Sequence, residues 1–82
     1  MTQRRLLLVT WRDAISNHSG WKDINAVSKQ QAPIVRSVGW EIRRTKRALT
    51  LVASIVEDEC DGDVTVPIGM ILREDELTVK KK

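Results

Sequence analysis

The strongest constraint on this chain lies between Ile34 and Val56, where IVRSVGWEIR and ALTLVASIV are separated only by a short basic stretch, RTKR. A period of two places Ile34, Val38, Trp40 and Ile42 on one face of an extended strand, with Arg36 interrupting it. Val35, Ser37, Gly39, Glu41 and Arg43 take the other face. The apolar set is expected to face the core. Arg44-Thr45-Lys46-Arg47 makes the turn, and the next strand points Leu49, Leu51, Ala53 and Ile55 inward. Its opposite face, Ala48, Thr50, Val52, Ser54 and Val56, is too apolar and small for a face left in water.

Shorter elements flank this hairpin. Arg4 to Arg12 is apolar and ends in β-favouring residues, so it reads as a first strand covered on both faces. DAISNHSG carries turn chemistry. Trp21, Ile24 and Val27 follow at threefold spacing, which predicts one or two helical turns before Pro33 closes the excursion. EDECDGD is expected to be a loop, Val64 to Val66 a short strand stopped by Pro67, IGM a tight turn, and Ile71 to Val79 the last strand. That order predicts a mainly β fold: a small five-stranded barrel of the Sm-like or SH3-like kind with a helical or irregular insertion after strand 1. The alternative is a two-layer α+β sandwich in which residues 21–30 form a longer helix.

At 82 residues the chain is one domain, 1–79, with a basic tail at 80–82. A core this small, beside a second apolar strand face, predicts association into homo-oligomers. The single cysteine, Cys60, forms no internal disulfide and reads as a passive thiol. LLLV is too short for a signal-peptide core, and no stretch reaches membrane-spanning length, so a soluble, cytoplasmic protein is expected. The net charge of +3 conceals a division: residues 1–56 sum to +7, residues 57–77 to −7, and Lys80 to Lys82 restore the total. Such a layout steers anionic partners, or draws one copy to the opposite end of another.

V-T-W-R-D-A at 9–14, G-W at 20–21, S-V-G-W at 37–40, L-T-L-V-A-S at 49–54 and V-P-I-G-M-I at 66–71 occur in that order. Together they resemble a group of short tailed-phage accessory proteins, over most of the chain. The resemblance implies a small all-β protein acting in the cytoplasm of an infected bacterial host; it does not imply an enzyme activity. Arg43-Arg44 with Lys46-Arg47 is a heavier basic run than the group pattern carries.

Catalysis lacks an inventory. His18 is the only histidine and sits in a polar loop, and no nucleophile-elbow sequence surrounds any serine. The acids between Glu57 and Asp63 offer only fragments of a calcium loop, so neither a metal nor another cofactor is expected. Phosphate recognition has a fuller parts list, since it requires Arg, Lys, hydroxyls or free backbone N–H groups, and bases require aromatic faces. The only aromatic residues are Trp11, Trp21 and Trp40. Trp40 is assigned to the core. Trp11 is either a core edge or a ligand wall, Trp21 either a lid over the barrel end or a ligand wall, and Gly39 allows a close approach by a ligand or a packed ring. Asp13, two residues after Trp11, is expected on the same side as its ring, where its carboxylate caps the following turn or accepts from a base amine or ribose hydroxyl. Arg12, His18, Arg36, Ser37, Arg43, Arg44, Lys46 and Arg47 complete the candidate ligand-binding set.

The function expected on these grounds is non-catalytic: sequestration of a nucleotide immune signal, cyclic or of ADP-ribose type, in a pocket between subunits. Binding of RNA or DNA by a small barrel is the alternative. A second alternative is an interaction protein that inhibits a host enzyme through a strand edge or its acidic loop.

Overall fold

The computed structural model describes residues 4–14 and 20–78. His18, Val79 and the basic tail lie outside the described residues. The elements run β1 (Leu6–Arg12), α1 (Ile24–Ser28), β2 (Ile34–Arg44), β3 (Ala48–Val56), β4 (Glu59–Pro67), a 3-10 turn (Ile68–Met70) and β5 (Ile71–Leu77). All five strands join one antiparallel sheet in the order β4-β3-β2-β1-β5. The fold is mainly β, and α1 is a five-residue helix rather than the layer a sandwich would need.

Covalent connectivity bends this sheet. Pro67 ends one edge strand and Ile71 begins the other, with only Ile68–Met70 between them. Flat, such a sheet would hold its edges roughly 19 Å apart, whereas three 3-10 residues advance about 6 Å. The sheet is therefore rolled, bringing β4 towards β5, although the ladder is open between them. Pro67 fits its place because the missing N–H falls on an edge strand. The Ile68 N–H instead donates to the Arg47 carbonyl at 2.8 Å, pinning the crossover to the β2–β3 turn.

Leu7, Val9, Leu49 and Leu51 form the buried cluster on the concave side. Trp11, Val64, Ile68 and Ile71 pack against it, and Val66, opposite Leu49, is fully buried. Leu49 and Leu51 face inward as expected, but Ala53 and Ile55 do not, because the strand leaves the core after Val52. The face of β2 is reversed from expectation. Val35, Ser37 and Gly39 oppose Trp11, Val9 and Leu7, whereas Ile34 and Val38 point outward and are about half exposed, at 53% and 56%.

Volume explains the reversal. A Cβ on Gly39 would lie 2.9 Å from the Leu51 Cβ and from the Val52 carbonyl oxygen. Only the small inward residues of β2 let β3 cross so closely and leave room for Trp11. The close approach at Gly39 is thus made by β3.

EDECDGD is not a loop. β3 and β4 stay paired out to Val56 and Glu59 and turn through Glu57 and Asp58, with Glu57 at a φ of 55°. Gly62, at a φ of 72°, lies between the Val52–Asp63 and Ser54–Asp61 pairs, where a Cβ would come within 2.9 Å of the Ala53 Cβ. Residues 53–63 are all exposed, forming an arm that projects beyond the core.

Candidate nucleic-acid interface

The outer side of the rolled sheet carries the exposed basic residues in register. Trp40 lies between Leu6 on β1 and Val52 on β3. Val38 faces Leu8, and one row further Arg36, Thr10 and Arg73 align across β2, β1 and β5. Arg12 follows opposite Ile34. At the other end, past the irregularity between Glu41 and Arg43, Arg43 sits opposite Thr50 and is exposed. Along β2 the outward order is therefore Arg36, Val38, Trp40, Arg43, a span of roughly 20 Å at strand rise. Val52 is 2% exposed on this side, so the half-buried Trp40 region is a firm platform.

Two of these cations have local partners that keep them in place. Arg73 is paired with Asp75 at 2.8 Å, which holds its guanidinium more firmly protonated. Arg12 Nη1 donates to the Ala32 carbonyl at 3.3 Å, tying the end of β1 to the insertion and leaving the charge in water. Among the described residues, Arg36 and Arg43 form no ion pair.

The other expected site residues disperse. Trp11 packs on the core, and its Nε1–H donates to the Ser37 hydroxyl at 3.1 Å, so the structure brings two candidates together as internal partners. Asp13 lies beyond β1; its N–H donates to the Pro33 carbonyl at 3.0 Å and its carboxylate accepts from the Ala14 N–H at 2.9 Å. Of its two expected roles it takes the capping one, closing the turn after β1. Trp21 is fully exposed. Lys46 and Arg47 are exposed in the turn, which Thr45 organises by accepting from the Arg47 and Ala48 N–H groups at 3.1 and 3.0 Å.

Arg44 is a strand residue, not a turn residue, and it faces the concave side opposite Leu49. There it donates to Glu41 at 2.8 Å and to Glu74 on β5, while Arg5 donates to Glu41 at 2.7 Å. Burial pushes Glu41 up, but hydrogen bonds from Arg44 and Arg5 outweigh it and hold the carboxyl below its ordinary value. The Arg44 hydrogen bond does the same for Glu74 against a smaller effect of burial. Glu74 in turn is the first cause of the further rise of the Arg44 guanidinium above its ordinary value. Arg44 clasps β2 to β5 across β1 and is engaged by acids of its own chain.

Trp40, Thr10 and Arg73 join the outer surface although none was expected to. The missing signal was inter-strand register, because the apolar character of Ile34, Val38 and Trp40 alone places them inside. No family model, curated protein or solved structure matches the chain.

Proposed function

We propose that this protein is a non-catalytic binder of nucleotide phosphates, and that its ligand is a single-stranded nucleic acid laid along the outer face of β2. The supporting observation is the outward order Arg36, Val38, Trp40, Arg43 on one strand, with Arg12 and Arg73 at the Arg36 end. An open track of cations around an aromatic platform suits a strand whose phosphates and bases alternate. It suits a small free nucleotide less well, because Trp11, the expected pocket wall, is committed to Ser37 and the core. In this reading the rolled ladder is a small barrel of the Sm-like or SH3-like kind, and the phage-accessory resemblance supplies a setting in an infected cell.

The test is fluorescence anisotropy with a labelled single-stranded oligonucleotide, titrated across salt concentrations. Neutralising about three phosphates predicts a log–log salt slope near −2, and Arg36→Ala or Arg43→Ala each reduces it by roughly 0.7. A thermal-shift series with cyclic and ADP-ribose-type nucleotides runs beside it. Stabilisation by one such nucleotide, without binding of the oligonucleotide, would restore signal sequestration as the better reading.

A further inference from the structure

Trp21, Ile24 and Val27 are 103%, 82% and 43% exposed, and they recur every third residue through the insertion. α1, at their centre, has five residues, no buried side chain, and no side-chain hydrogen bond at its N-cap. Helices this short are unstable in water without packing on an apolar surface. A stripe of three large apolar groups on such an element requires a cover. The projecting β3–β4 arm has the complementary deficiency: Val56 is 70% exposed and Ile55 39%. Its residues 53–63 carry Glu57, Asp58, Glu59, Asp61 and Asp63 with no Lys or Arg. The insertion side carries Lys22 and Lys29 against Asp13 and Asp23, and Arg12, fastened to its base through the Ala32 carbonyl, brings the balance to +1.

We infer that the tip of the β3–β4 arm, centred on Val56, docks onto the Trp21–Ile24–Val27 stripe of a second copy of this chain. Charge favours the pairing: arm against arm sets five acids against five, whereas arm against insertion sets five acids against a surface where Arg12, Lys22 and Lys29 outnumber Asp13 and Asp23. Within one molecule both surfaces are exposed, so they do not satisfy each other. The two surfaces differ, so the contact is head-to-tail. Successive copies either close a ring or extend a chain. Of the track's residues Arg12 also borders the insertion surface, whereas Arg36, Trp40 and Arg43 belong to neither docking surface.

A mixing experiment reads this directly. Val56→Lys removes the arm and Trp21→Glu removes the stripe; both side chains are exposed, so both variants are expected to melt close to the parent. In sedimentation velocity at micromolar concentration the parent sediments as more than one chain, and raised salt shifts it towards one. Each variant alone sediments as a single chain. Mixed in equal amounts, they form a two-chain species, because one intact arm meets one intact stripe. A single-chain parent, a variant that keeps the parent's assembly, or a mixture that stays single-chain each overturns the inference. If either variant melts early, Glu59→Lys and Ile24→Ser replace the pair with the same required outcomes. Arg36→Ala with Arg43→Ala must leave assembly intact while weakening nucleic-acid binding, so the two proposals fail separately.

Discussion

The Trp11 indole sits at the rim of the core with its N–H on the Ser37 hydroxyl. Replacing Ser37 by Ala keeps the packing and orphans a half-buried donor, which costs about 1 kcal/mol. Trp11→Ala removes the ring from the edge of the Leu7–Val9–Leu49–Leu51 cluster and costs about 3 kcal/mol. Chemical denaturation measures both; a Trp11→Ala protein that unfolds like the parent would show that the ring does not hold the core. Gly39 is a sharper case, because any Cβ there meets the β3 backbone at Val52 as well as the Leu51 side chain. Gly39→Ala is expected to lose about 2 kcal/mol by overpacking, whereas an alanine at Gly69, which has open space, leaves this packing untouched. These residues also explain what could be seen in advance. The period of two identified the strand and grouped its residues correctly as far as Glu41; past the irregularity Arg43 crosses to the Trp40 face, which alternation alone does not foresee. Choosing which set faces inward needed the volumes of Trp11 and Leu51, which β1 and β3 supply. Hydropathy along β2 alone favoured Ile34, Val38 and Trp40, and with them the wrong face.

At the scale of elements, the Arg5–Glu41–Arg44–Glu74 network joins β2 to β5 on the concave side of β1. Both carboxyls are held below the ordinary value of 4.5, so their contribution is fully present above that pH. It is lost as pH falls through the lowered folded-state values, when the carboxyls protonate and release Arg44. Arg44→Met is expected to cost about 1 kcal/mol at neutral pH, since solvent reaches these groups and screens them. The parent's stability should therefore fall from about pH 4.5 downward more steeply than the variant's, with the two curves converging in acid. Parallel curves, measured by urea titration at several pH values, would remove the network from the acid response. The β3–β4 arm is the opposite kind of element, paired along its length but without a core beneath it. Its amides from Ser54 to Asp61 should exchange before those of β1, and Gly62→Ala, strained at a φ of 72°, should speed exchange there first. The arm was hidden in the sequence because its turn is two acidic residues rather than the usual Asn-Gly or Asp-Gly, and Asp61-Gly62-Asp63 drew the bend to the wrong place.

Over the whole molecule, the division into a basic first part and an acidic second part puts acids on both edges of the sheet. β4 carries Glu59, Asp61 and Asp63, and β5 carries Glu74, Asp75 and Glu76 with Arg73. An open, rolled ladder with two free edges is otherwise a template for joining β4 of one copy to β5 of the next. Like charge on both edges opposes that joint and leaves the arm-to-insertion contact as the attractive one. The two modes of association respond to salt in opposite directions, because screening weakens attraction in one and repulsion in the other. Combining Glu59→Gln, Asp61→Asn and Asp63→Asn neutralises the β4 edge without adding bulk. Placed in a Trp21→Glu background, which abolishes arm docking, this variant should gain edge-paired assemblies that grow with added salt. Sedimentation and amide exchange along β4 and β5 would record the gain. A triple variant that stays single-chain at high salt, with both edges exchanging as freely as before, would mean that the acids are not what keeps the edges apart. Some other property, such as the twist the three-residue crossover imposes, would then have to do so.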